Sequence, residues 1–155
     1  MSQKSSTASC PISPDRVNEN VARITAFYVI LISLLGFIAS SAIVFLLLGI
    51  DFAIRSFSSG ESSPIRFLAK LSARMLNVPV KLSDAAPKKF AAGVGLVFAF
   101  VIGLALYAGF PTAAFIAGAI LLVCAGLEGF FGFCVGCVVY AKLIAPFLKF
   151  PEEAI

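Results

Sequence analysis

At 155 residues the chain has room for one domain. Its hydrophobic fraction is 60% and its charged fraction 13%, against roughly 45–50% and about 25% in soluble domains. That balance excludes an ordinary water-soluble enzyme and makes lipid the solvent for much of the molecule.

Residues 1–20 read as a polar tail. Pro11, Pro14, Asp15 and Glu19 fall within it and no apolar run does, so it does not resemble a cleavable signal peptide. The first hydrophobic segment is expected to act as anchor and targeting signal together. No residue between Arg23 and Asp51 is charged. As one helix, residues 21–54 would run ~51 Å at ~1.5 Å per residue, beyond the ~30 Å hydrocarbon core even with tilt. Gly36 and Ser40-Ser41 lie near the middle and predict a turn, hence two short spans over 21–38 and 41–56. The turn is weakly marked, with neither Pro nor Asn. The alternative is one tilted helix over 24–50, which would leave three spans.

Residues 57–89 form the long loop. Ser58 to Pro64 carries a helix-start signature, serine before a first-turn proline. In the helix predicted over 64–76, Arg66, Lys70 and Arg74 recur every four residues, while Ile65, Leu68, Leu71, Met75 and Leu76 fall largely elsewhere on the wheel. A basic stripe beside an apolar face suits a helix lying in the headgroup layer, or a surface for a partner. The third span is expected over 90–109, where Gly95, Ala99 and Gly103 make one face flat enough for close helix approach. Gly109-Phe110-Pro111 breaks it. The fourth span, 112–133, is expected to run on as helix through Cys134 and Cys137 toward Pro146. Residues 147–155 form a second tail.

Basic residues give the orientation. The loop from Arg55 to Lys89 holds seven of the 12. Lys4, Arg16 and Arg23 lie near the N-terminus, Lys142 and Lys149 near the C-terminus, and the turns near 39–41 and 109–111 carry no charge. The positive-inside rule then places both tails and the long loop in the cytoplasm, which requires an even number of spans. The expectation is an all-α, polytopic inner (plasma) membrane protein, a small bundle of four transmembrane helices with an amphipathic cytoplasmic loop helix.

Histidine is absent, which removes the commonest metal ligand and the usual general base near neutral pH. The chemistry-bearing residues are therefore few. Cys134-Val135-Gly136-Cys137 is a C-x-x-C that a helix would place on one face, and such a pair can form a disulfide, accept a persulfide or bind a soft metal. Gly132 and Gly136 ease the distortion that a disulfide needs. Cys10, before Pro11, falls on the same predicted side. With Cys10 the thiols number three, short of the four ligands of a closed zinc site, so no metal is assigned. Packing accounts for Cys124. Glu128 is the acid inside a span and reads either as functional, a candidate proton relay, or as a residue near the cytoplasmic interface that hydrogen-bonds a neighbouring helix. Asp51 and Arg55 are spaced for a helical ion pair; alternatively Arg55 joins Arg23 in a cationic mouth for an anion. Phe130, Phe131 and Phe133 read as packing, or as rings flanking a quinone.

Cys10-Pro11, the run Asp15 to Asn20 with Arg23, Asp51-Phe52 with Arg55, Ser63-Pro64, Ala86-Pro87-Lys88, Phe90-Ala91-Ala92, and Leu127 to Cys137 with Tyr140 together resemble a bacterial membrane family known as domain of unknown function 4395. The resemblance spans about residues 9 to 145. It implies no activity, but it implies that Cys10, Asp51, Arg55, Glu128, Cys134 and Cys137 belong to one residue set on the cytoplasmic side.

Three functions fit these residues. The first is a membrane thiol protein that passes electrons or sulfane sulfur, with Cys134 and Cys137 as the working pair, Cys10 as a third thiol and Glu128 as relay. The second is a non-catalytic scaffold for a thioredoxin-like or sulfurtransferase partner, docked on Arg66, Lys70 and Arg74. The third is a transporter for a small anion, sulfur species or soft metal ion, which would need a homo-oligomer to form a conduit. The lipid bilayer is the common partner, no nucleic acid is expected, and the sequence names no cofactor.

Overall fold

The computed structural model describes residues 16–58 and 62–144. Cys10 and both tails beyond these bounds lie outside the described residues. Within them the chain forms six α-helices and one two-stranded ribbon.

Helix α1 (Glu19–Ile38) starts where the Asn18 side chain accepts the Asn20 N–H and Glu19 sits in the first turn, a side-chain cap and an acid at the positive helix end. It stops at Ser40, whose φ is 49°. There the Ser40 and Ser41 amides donate back to the carbonyls of Phe37 and Gly36, a left-handed C-terminal turn made without glycine. Helix α2 (Ala42–Phe57) follows. Ser63 caps α3 (Pro64–Met75) by accepting the Arg66 N–H at 3.2 Å, and Pro64 fills the first turn. Helix α4 begins at Ala85 and runs to Ala108. Sequence alone suggests 90, but Pro87 is tolerated in a first turn because its missing N–H would have no helical partner there. Gly109, with φ 85°, and then Pro111 separate α4 from α5 (Pro111–Phe131).

The most extensive packing joins α2 to α4. Phe45, Leu48 and Phe52 of α2 are buried against a small-residue face of α4, where Ala92, Ala99 and Ile102 are buried too. A Cβ at Gly95 would lie 2.7 Å from the Phe52 ring, so the glycine is what admits that ring. Helix α1 packs along α5, with Phe37 stacked on Phe115 at 5.2 Å between centroids. Helix α3 lies on α1 through Val21, Ala69 and Ala73, and the Tyr28 and Ser72 hydroxyls share a 2.8 Å hydrogen bond.

Outside this core the helices are apolar and exposed: Leu35, Val97, Leu104, Ile116 and Val123 all face outward. Among the described residues three helices are long and apolar enough to cross a membrane: α1 (20 residues), α4 (24) and α5 (21). Helix α2 has 16 residues and, at ~1.5 Å per residue, reaches only about 24 Å.

The ribbon has no forerunner in the sequence reading. Strand β1 (Arg16–Asn18) pairs antiparallel with β2 (Leu82–Asp84), with Val17 opposite Ser83. Asn18 also accepts the Lys81 N–H, the Glu19 N–H donates to the Lys81 carbonyl, and the Asn20 amide donates to the Pro79 carbonyl. Strand β1, too short to show a period in sequence, thus ties the start of α1 to the segment that leads into α4.

Candidate functional site

The basic ends of the helices enclose a cavity of about 290 Å³. Most of its wall is apolar, built from α1, α2, α4 and α5. Its polar lining is Arg55, Arg66, Lys88, Lys89, Glu128 and Cys134, with Asn18 and Thr25.

Cys134 reaches the cavity because α5 stops early. Gly132 takes φ 68°, and the Gly132 and Phe133 amides donate back to the carbonyls of Glu128 and Leu127. The expected continuous helix through Cys134 and Cys137 is therefore corrected. The left-handed glycine ends α5, and a new short helix α6 (Val135–Val139) begins beyond it, continued by a π-helical turn over Tyr140–Ile144. Cys134 is the N-cap of α6, and its Sγ accepts the Cys137 backbone N–H at 3.3 Å. A Cβ at Gly136 would come within 2.7 Å of the Ala91 Cα, so glycine is what lets α6 approach α4 this closely.

This geometry makes the two sulfurs unequal. Cys134 and Cys137 are free thiols that share a side-chain hydrogen bond. That bond, helped by the Cys137 N–H and by nearby Lys88, holds Cys134 below the ordinary thiol value despite its burial and the neighbouring Glu128. Cys137 is pushed up, first because its proton is the one donated, then by burial. Cys134 is thus the sulfur favoured as thiolate.

Glu128 sits in the last turn of α5, and its Oε1 lies 3.2 Å from Lys88 Nζ on the neighbouring α4. The sequence analysis overlooked Lys88 as a site residue. Its one signal was the Ala86-Pro87-Lys88 motif within the family resemblance. Cys124, assigned to packing, also lines the cavity.

Asp51 and Arg55 form the ion pair expected of their spacing, with Nε 3.0 Å from Oδ2. Asp51 is 3% exposed. Its Oδ1 accepts from the Ser63 hydroxyl at 2.5 Å and from the Ile65 N–H at 3.3 Å, partners that sequence did not reveal. The Arg55 guanidinium lies 4.4 Å over the Phe52 ring. Asp51 Oδ2 thus faces Arg55 Nε, while Arg55 Nη2 is buried without a hydrogen-bond acceptor.

Arg23 is placed elsewhere. It donates to the carbonyls of Gly129 and Phe130, at 3.3 and 3.0 Å, and so covers the negative end of α5. It does not line the cavity, which Arg55 does. Arg66 lines the cavity, whereas Lys70 and Arg74 flank a separate shallow groove with Phe67 and Leu71. Phe130, Phe131 and Phe133 are exposed, and none of them lines the cavity. Cys10 lies outside the described residues. Among the described residues no group of three or more His, Cys, Asp or Glu is arranged to hold a metal ion.

Lipid-facing helices around a thiol-lined cavity define a helical membrane protein with an internal polar site. The family model described as domain of unknown function (DUF4395) matches residues 17–144, and the chain belongs to that family. No curated protein and no solved structure matches it.

Proposed function

We propose that the chain is a membrane dithiol protein that exchanges electrons with a disulfide-bearing partner through Cys134 and Cys137. The observation that carries this is the Cys134 sulfur accepting the Cys137 N–H at 3.3 Å, which sets the two thiols side by side across one turn. A thiolate is the attacking species in exchange, and a cationic neighbourhood favours it. The Cys134 thiolate attacks one sulfur of the partner disulfide, and the partner's other sulfur leaves and takes a proton. Cys137 then loses its proton and attacks Cys134, which closes the Cys134–Cys137 disulfide and releases the second partner thiol. Two electrons and two protons pass to the partner. Transfer of sulfane sulfur would use the same thiolate, with a persulfide on Cys134 in place of the mixed disulfide.

In the bilayer this reading takes α2 as a fourth, short crossing. Its length deficit of a few ångströms is of the kind that local thinning accommodates. Both termini, α3 and the thiols would then share the cytoplasmic side of the inner membrane, in keeping with basic residues at that end and uncharged turns at the other.

The experiment is a redox titration of the purified chain in glutathione buffers, with thiols counted by a mass-adding alkylator. The expected result is joint loss of the Cys134 and Cys137 labels as one two-electron step, and accumulation of a mixed disulfide on Cys134 in Cys137→Ala. Labels that persist in the most oxidising buffer would overturn the reading. For the topology, Ser41→Cys in a cysteine-free background should label from the periplasm and not from the cytoplasm.

A further inference from the structure

We propose that the cavity takes a quinone ring, with Arg55 holding a carbonyl oxygen and the Cys134 sulfur as the reacting group. The inference rests on the dithiol reading and gives that site a second electron acceptor, held in the membrane, besides the partner disulfide. Three observations converge on one space. Its volume of about 290 Å³ lies at the lower edge of the range for small-molecule pockets, roughly 300–1,000 Å³, and its wall is mostly apolar. Cys134 opens onto it. Arg55 lines it while keeping the buried Nη2 donor without an acceptor, and a buried orphan donor in a native fold asks for a partner.

Charge decides which partner. Asp51 already neutralises Arg55, Glu128 neutralises Lys88, and Arg66 and Lys89, which also line the cavity, each engage other groups. What Arg55 Nη2 lacks is a hydrogen-bond acceptor and not a counter-charge. That favours a neutral carbonyl on an apolar body over a carboxylate or a free anion, and a quinone in the bilayer supplies both parts. It is also a two-electron acceptor matched to a dithiol.

The chemistry balances without a further reactant. The Cys134 thiolate adds to a ring carbon, forming an S–C bond and placing negative charge on a ring oxygen. Cys137, which does not itself line the cavity, releases its proton, that oxygen takes one up, and the Cys137 sulfur attacks Cys134. The S–S bond forms, the S–C bond breaks, and its electron pair stays on the ring. A second proton, from solvent, completes the quinol. Dithiol and quinone become disulfide and quinol, with two electrons transferred.

The test uses the full chain, reduced, in phosphatidylcholine nanodiscs, with decylubiquinone and a short-chain menaquinone as probes and glutathione disulfide as parallel oxidant. The wild type should form one quinol per disulfide closed. Arg55→Lys keeps the charge beside Asp51 but removes Nη2, and Ala125→Leu fills the cavity from its wall. In each, the ratio of quinone to glutathione-disulfide reactivity should fall roughly 10- to 100-fold, and Ala125→Leu serves should Arg55→Lys fail to fold. A wild type that closes its disulfide with glutathione but yields no quinol would overturn the quinone site and leave the dithiol reading standing. Unchanged ratios in both variants would do the same. If neither oxidant closes the pair, the dithiol reading itself falls.

Discussion

Cys134 and Cys137 have the same covalent chemistry, and one turn of backbone makes them different. Cys134 receives two donors from Cys137, the backbone N–H and the thiol proton, while Cys137 gives up both. An unperturbed thiol loses its reactivity as pH falls through about 8.5. Because Cys134 is held below that value, its alkylation by iodoacetamide should persist to lower pH than that of Cys137. In Cys137→Ala the thiol donor is gone and the Cys134 midpoint should move up; rate–pH profiles followed by peptide mass spectrometry would check both. A second residue-scale outcome concerns Asp51. Asp51→Ala leaves Arg55 buried without its counter-charge and Ser63 and the Ile65 amide without their acceptor. Removing one partner of a buried pair typically costs about 3–5 kcal/mol, so this variant should unfold or aggregate in detergent well below the wild-type melting temperature. The Asp51–Arg55 pair was legible because i,i+4 spacing is a local property of a helix. The hydroxyl of Ser63 was not, since only the fold of the long loop returns it to Asp51.

Helix limits depend on single backbone conformations, and the two decisive ones differ in chemistry. Ser40 and Gly132 both adopt positive φ, at 49° and 68°. A side chain in the left-handed region costs roughly 1–2 kcal/mol relative to the right-handed one, and glycine largely avoids that cost. Ser40→Gly should therefore stabilise the chain by about 1 kcal/mol, while Gly132→Ala should destabilise it by a similar amount and slow Cys134 alkylation by disturbing the turn that sets the N-cap. Thermal melts in one detergent, with matched labelling rates, would test the pair. These conformations also explain how far sequence could reach. The α4–α5 break was plain because Gly109 and Pro111 carry their own backbone preferences. The break at Ser40 was faint because serine there is shaped by the amides of Ser40 and Ser41 reaching Phe37 and Gly36. The end of α5 at Gly132 was hidden because nothing in an apolar, glycine-containing run fixes which glycine turns left-handed, and the thiols were consequently placed on the wrong helix.

Across the whole molecule, exposure sorts the surface into an apolar belt and a basic end. Helix α3 belongs to both. Ile65, Ala69 and Ala73 face the protein, yet Phe67, Leu68, Leu71 and Met75 are exposed beside its basic residues. An exposed apolar edge next to lysine and arginine is what an interfacial helix presents to a bilayer. The chain has no tryptophan, so Phe67→Trp introduces a single clean reporter. Its fluorescence should shift to the blue in liposomes and be quenched by brominated lipids, and an unquenched, water-like spectrum would show that α3 stands clear of the membrane.

The ribbon between β1 and β2 has a consequence for the making of the protein. Its strands pair Arg16 with Asp84 and Asn18 with Leu82, so the first described residues of the chain hydrogen-bond to a segment that leaves the ribosome only after α1, α2 and α3 have been made. Until β2 is made the strand β1 has no partner, and the start of α1 has only its own cap and the packing of α3 on Val21. Arrival of β2 latches that start to the head of α4 before α5 and the thiol-bearing turn exist. Chain order thus presents the walls from α1, α2 and α4 first, and brings α5 and the reactive sulfurs last.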